Sequence, residues 1–193
     1  MIRAYLLFIG RHWNHLVFGM MLMGLSSFGQ TFFISLFGPQ LRDAYDLSDG
    51  GLGTAYAVAT FASAFTLPRV GRWIDDTTVP RYTMAVAALL ATACALMAAS
   101  THIMILVVTF YLLRLGGQGL MVHTSMTATA RAFPAQAGRA LGVSNLGMPL
   151  GEAILPIAVA AAMGMVGWRM VWVAAIFAIL GGTAVALACR RVG

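Results

Sequence analysis

The sequence predicts an all-α integral membrane protein, a bundle of six transmembrane helices. Three observations carry this reading. Of 193 residues, 60% are hydrophobic and only 9% charged, whereas a water-facing domain carries about 25% charged residues. The mean hydropathy is +0.85. Six long apolar stretches meet the length that an α-helix needs to cross a hydrocarbon core about 30 Å thick. These runs are continuously apolar and do not alternate, which excludes a membrane β-barrel.

The elements follow in order. Residues 1–15 form a cytoplasmic lead-in. Its apolar stretch, 4–10, ends at Arg11 and His12 with no small-residue cleavage site, so it is not a signal peptide and is retained. The spans are expected at 16–38, 51–67, 82–99, 103–130, 140–163 and 169–189. Arg114 lies inside the fourth and Glu152 inside the fifth. Residues 16–189 thus make one transmembrane domain, followed by a cytoplasmic end at 190–193. No linker or low-complexity tract divides the chain, and its two halves show no convincing residue match.

Orientation comes from the arginines, which supply all 12 basic residues. With the N-terminus inside, Arg3, Arg11, Arg69, Arg72, Arg81, Arg131, Arg139, Arg190 and Arg191 are cytoplasmic. Only Arg42 and Arg169 are outside, where Asp43, Asp46 and Asp49 also lie. That bias is the positive-inside pattern. The pI of about 10.2 is therefore an orientation device, and no nucleic acid is expected as a partner. Cys94 and Cys189 sit in apolar runs as packing residues. His12, His15 and His102 lie near membrane ends without ligand spacing, so neither metal nor cofactor is expected.

The interior charges carry the chemistry. A charge at mid-membrane costs about 2.5–3.5 kcal/mol on insertion scales and needs a partner or water. Counting about 1.5 Å per residue puts Arg114 and Glu152 at similar depths. Helices four and five are joined by a short loop, so the two are expected to pair or to flank a shared aqueous cavity. The bland alternative is a static ion pair that locks two helices. Arg114, Gln118, Ser125 and Thr129 fall within about 60° of one another on a helical wheel. Asn145 and Glu152 share a face of the fifth helix, and Ser27, Thr31 and Ser35 line the first, with Ser26 and Gln30 beside them. Three polar faces suit a central path, although interhelical hydrogen bonding also explains the serines and threonines. His123 falls opposite Arg114 and is expected to be a buried neutral residue. On the fifth helix Ala140, Ser144, Gly147, Gly151, Ala158 and Ala162 form a small-residue strip that admits a neighbouring backbone, and Pro149 and Pro156 allow bending.

Gly71-Arg72-Trp73-Ile74-Asp75-Asp76-Thr77-Thr78-Val79-Pro80-Arg81 resembles the signature loop between helices two and three of the major facilitator superfamily. Gly71, Asp75 and Arg81 match it; Asp76, Thr78 and Pro80 stand where the family has basic, glycine and basic residues. Arg114-Leu115-Gly116-Gly117-Gln118-Gly119 is similar to the family's fourth-helix motif, and residues 142–151 to its fifth-helix Gly/Pro motif, with Met148 interrupting the Gly-Pro pair. Gly167-Trp168-Arg169 resembles the turn before helix six. The resemblance implies an N-terminal six-helix half built of 3+3 inverted repeats, which works by alternating access with a C-terminal six-helix half or a second copy. It implies a secondary, proton-coupled transporter of a small solute in the plasma (bacterial inner) membrane, with both ends of the chain cytoplasmic and the lipid bilayer as solvent. Gln30, Thr31, Arg114, Gln118, Asn145 and Glu152 become candidates for the substrate or proton pathway, and Gly71, Asp75 and Arg81 for a cytoplasmic gate. Arg114 favours an organic anion as the solute.

The rival expectation is a non-transporting structural or assembly subunit, which has little reason to carry two mid-membrane charges. An enzyme is not expected. A rhomboid-type protease needs a His after its Gly-x-Ser, and none follows Ser144. An aquaporin-like channel needs Asn-Pro-Ala turns, and a voltage sensor needs arginine at every third position of one span; both are absent from the sequence.

Overall fold

The structure, a computed structural model, describes residues 2–192, and every regular element among them is helical. Helix α1 (Ile2–Arg11) leads into α2 (Trp13–Ser26), a 3-10 turn at Ser27–Gly29 and α3 (Thr31–Ser35). The first crossing is therefore in two pieces, jointed at Gln30, whose backbone is extended at φ −81° and ψ 154°. Helix α4 (Gly38–Tyr45) ends at Asp46, which takes the left-handed conformation at φ 51°, as a short polar side chain can. Helix α5 (Asp49–Gly71) starts at Ser48, whose hydroxyl accepts the Gly51 N–H at 3.0 Å and so caps a free backbone donor. A tight turn then reaches α6 (Val79–Ala99). Helix α7 (Ile103–Leu113) runs through a π-helical turn, Arg114–Met121, into α8 (Val122–Ala132). The fifth crossing comprises α9 (Ala137–Ser144) and α10 (Gly147–Val166), and the chain closes with α11 (Trp168–Val192).

Five helical segments are both long and apolar enough to cross a membrane: Trp13–Ser35, Val79–Ala99, Ile103–Ala132, Pro134–Val166 and Trp168–Arg191. Helix α5 has the length, at 23 residues, but its glycines, threonines and serines dilute its apolar character. The second of the six expected stretches is thus the least apolar.

The first crossing sits at the centre. Helix α2 packs against α8, α9, α10 and α11. The small-residue strip of the fifth crossing explains part of this. Ala140, Ser144 and Gly147 are buried on α2, and a Cβ at Gly147 would run into the Met20 carbonyl. The far end of the strip departs from expectation, because Ala158 is exposed. Helix α10 touches few neighbours there. The bend in this crossing falls at Asn145–Leu146. Pro149 has no N–H to offer the Asn145 carbonyl four residues back, and its ring crowds that carbonyl. The Met148 N–H takes it instead at 3.2 Å.

The largest buried aromatics, Phe33, Phe37 and Trp172, meet with ring centroids 4.8–5.5 Å apart, joining α3 to α11. At the opposite end Phe8 of α1 meets Phe133 edge-on at 5.5 Å, and His12 meets the same ring at 5.0 Å. The lead-in is thereby docked on the bundle. The Gly-Trp-Arg segment also finds a structural role. Gly167 takes φ +79° to end α10, and Arg169 donates to the carbonyls of Ala98 and Ser100 at 2.7 and 2.8 Å while lying over the Trp168 ring. One guanidinium thus satisfies the carbonyls left over at the end of α6. Tyr45 bonds to Ser100 as well, so three connecting segments meet there.

Candidate functional site

The site forms where the first and fourth crossings touch backbone to backbone. Gly29, in the 3-10 turn, lies on Gly117, in the π turn. A Cβ on Gly117 would stand 2.5 Å from the Gly29 Cα, and one on Gly29 would strike the Leu113 carbonyl. Only two glycines permit this approach. Both helices depart from regular α geometry at the contact, and π turns of this kind concentrate at functional sites.

Arg114 opens the π turn and is only 8% exposed. Its Nη1 donates to the Thr31 hydroxyl at 3.1 Å and points at the Gly29 carbonyl at 3.4 Å. Its guanidinium lies 5.5 Å from the centre of the Tyr56 ring, within reach of a cation–π attraction. The Tyr56 and Thr31 hydroxyls share a hydrogen bond of 2.8 Å. All these partners are neutral. Arg114 Nε and Gln30 Nε2 are buried with no hydrogen-bond partner. Buried donors left unpaired are costly, and here two come from adjoining parts of one site.

Two clefts meet at this cluster. One, of about 230 Å³, is lined by Thr31, Ser35, Asp49 and Tyr56 and opens toward α4. The other, of about 290 Å³, is lined by Thr60, Ser63, Arg114 and Gln118 and lies further along α5 toward the 71–81 loop. Thr31 and Tyr56 border the first, and Arg114 borders the second. The hydrogen-bonded trio therefore stands as the partition between them.

Of the residues singled out from sequence, Gln30, Thr31, Arg114 and Gln118 gather here. Asn145 and Glu152 do not. Asn145 is exposed at the bend of the fifth crossing and Glu152 is exposed on α10. The expected Arg114–Glu152 pair is not formed: among the described residues the ion pairs are Arg42–Asp49 and Arg131–Asp75. The reason lies in packing. Helices α8 and α9 touch near their short connection, where Thr129 and Ser144 are 3.3 Å apart. Beyond it the first crossing wedges between them, contacting the π turn on one side and α10 on the other. Tyr56 was not anticipated. Its signal was available, because Tyr56, Thr60 and Ser63 recur at helical spacing along α5 and make a fourth polar face.

At the 71–81 loop, Asp75 pairs with Arg131 at the end of α8, and Arg131 also donates to the Ile74 carbonyl at 3.3 Å. Gly71 is buried beneath His123, whose Nε2 lies 3.2 Å from the Gly71 carbonyl. His123 is half-buried with this partner rather than enclosed. Arg81 stands exposed at the start of α6. Sequence reasoning counted Arg131 only as an orienting charge and missed it as the partner of Asp75. The pair is solvent-exposed, so its worth is about 0.2–1 kcal/mol. Asp75→Arg and Arg131→Asp are each expected to lower the melting temperature slightly, and the double exchange to restore it. A double variant no better than the singles would remove the pair from the loop's stability.

The arrangement can hold an anion at a buried arginine between two clefts. The model of the Major Facilitator Superfamily matches residues 16–192. Searches of curated proteins and of solved structures returned no match. A family match across nearly the whole chain and apolar helices long enough to span a bilayer agree: the chain is an integral membrane protein that belongs to the Major Facilitator Superfamily of membrane transporters.

Proposed function

We propose that the chain is a six-helix half of a secondary active transporter for a small organic anion, with α5 as its second crossing beside the five more apolar ones. It works by alternating access against a second six-helix bundle, either a C-terminal half or another copy, and consists of two three-helix inverted repeats. Both ends face the cytoplasm and the bilayer is the plasma membrane, as the arginine distribution favours. The observation that carries the substrate class is Arg114. It is buried among neutral partners, no carboxylate pairs with it among the described residues, and its Nε is unused. A carboxylate entering from the cleft that Arg114 lines supplies both the counter-charge and an acceptor for that donor. Gln30 Nε2, Thr31 and Gln118 are suited to bind the rest of the solute. Gly71, Asp75 and Arg81 act at the cytoplasmic gate, with Arg131 as the partner of Asp75.

Glu152 and Asn145 take a separate part in this reading. Their exposure on the fifth crossing leaves them available to the second bundle, and Glu152 is the proton-coupling candidate.

Membrane vesicles from cells with and without the chain test the proposal, with a labelled carboxylate and an imposed proton gradient. Uptake is expected to be competed by carboxylates and not by their neutral amides. Glu152→Gln is expected to abolish the response to the gradient while exchange of preloaded solute continues. Equal competition by amides would overturn the anion assignment, and an unchanged pH response would overturn the role of Glu152.

A further inference from the structure

Helices α6 and α11 run antiparallel, since Arg169 at the start of α11 caps Ala98 and Ser100 at the end of α6. The two helices pack closely along their length, and a groove runs on the bundle surface beside their contact. Ala87 and Ala88 of α6 face Ala184 and Ala188 of α11, and side chains this small leave a groove of about 440 Å³ on the bundle surface. Leu180 closes one end and Arg191 stands at the other. Along a helix those two residues are about 16 Å apart. That is half of a hydrocarbon core about 30 Å thick, the depth of one leaflet.

The charges at the mouth of the groove are unbalanced. Arg190 is turned aside, with its guanidinium 5.3 Å from the Phe18 ring centre. Arg191 is exposed, and so is Arg81, at the same end of the pair and one turn before Met84 of the groove wall. Neither forms an ion pair among the described residues.

From this juxtaposition we propose that the α6–α11 groove is a lipid site: one acyl chain of an anionic phospholipid lies along the alanine-lined hollow, with its phosphate on Arg191 and Arg81. The groove has the length of a single leaflet's chain, an apolar wall for the methylenes, and a cationic end at headgroup level. A zwitterionic lipid fits the hollow equally well but gains less at the mouth, where each arginine near a membrane surface favours an anionic headgroup by about fivefold.

Native mass spectrometry of the full chain in detergent tests this, titrating phosphatidylglycerol against phosphatidylcholine of the same chain length. The expected result is preferential retention of one phosphatidylglycerol. Arg191→Gln should cut that preference about fivefold, as expected for the loss of one surface arginine. Ala184→Phe, which fills the groove and leaves both arginines, should remove the bound lipid, while Ala178→Phe, outside the groove, should not. Should Ala184→Phe fail to fold, Ala88→Leu fills the hollow from the other wall. Equal retention of the two lipids, or retention undiminished by the groove-filling variants, would overturn the proposal. So would competition by soluble glycerol phosphate, which has a headgroup and no chain. A mass corresponding to a stable lipid-free dimer blocked by Ala184→Phe would assign the groove to a second copy instead.

Discussion

Arg114→Gln is expected to weaken binding of the transported anion by one to two orders of magnitude, with uptake falling in step. A hydrogen bond to a charged group is worth about 1.5–3 kcal/mol, and the loss of a buried counter-charge adds to it. Glutamine keeps a donor near Thr31 and removes the charge, so the change separates electrostatics from simple hydrogen bonding. Arg114→Lys restores the charge without the planar fork that offers several donors to one carboxylate, and its affinity should fall between the other two. The measurement is equilibrium binding of the labelled anion to purified protein, which does not require a transport cycle. Wild-type affinity in Arg114→Gln would exclude this arginine as the anion's ligand.

The second large effect concerns the fold itself. Gly29→Ala places a methyl group against the Leu113 carbonyl and the Gly117 Cα. Both obstacles are backbone, so no side chain can rotate to make room, and the first and fourth crossings must separate. Overpacking of side chains costs about 1–3 kcal/mol, and a backbone clash belongs at or beyond the top of that range. The expected outcome is a sharply lower melting temperature or loss of the monodisperse species in size-exclusion chromatography. Gly181→Ala is the matched control, because a Cβ there meets nothing within 4 Å and alanine is the better helix former. If both variants melted alike, the Gly29–Gly117 contact would not be what holds the site together.

These two residues also mark how far the sequence could be read. Arg114 was legible because a guanidinium inside an apolar run is anomalous whatever surrounds it. The break at Gln30 was not. Residues 16–38 contain no proline, and although Ser26, Ser27 and Gly29 weaken a helix locally, each does so by no more than about 1 kcal/mol, too little to mark a break inside a long apolar span. The break is a tertiary effect that appears only with Gly117 across from it. The misplaced Glu152 has a similar origin. Counting residues gives depth along a helix axis, one coordinate of three, and says nothing of which neighbour lies between two helices. The crossing of α2 between α8 and α10 supplied that missing information, and it replaced the carboxylate with Gly29 and Thr31. Arg131 was missed for a different reason: an arginine at a helix end satisfies the orientation rule so readily that a second role leaves no extra trace in the sequence.

The cap that Arg169 places on α6 bears on how the protein is made. Ala98 and the arginine that satisfies it are 71 residues apart. The third crossing therefore emerges from the ribosome well before its last carbonyls acquire their protein donor, and until then they depend on water at the membrane surface. The end of that helix can settle into its final place only after α10 has turned at Gly167 and the last helix has begun to insert. Maturation of the bundle is thus timed by its final segment. A chain stalled before Arg169 should leave the α6–α7 connection open to protease from the side on which α11 starts, and a chain extended a few residues further should close it.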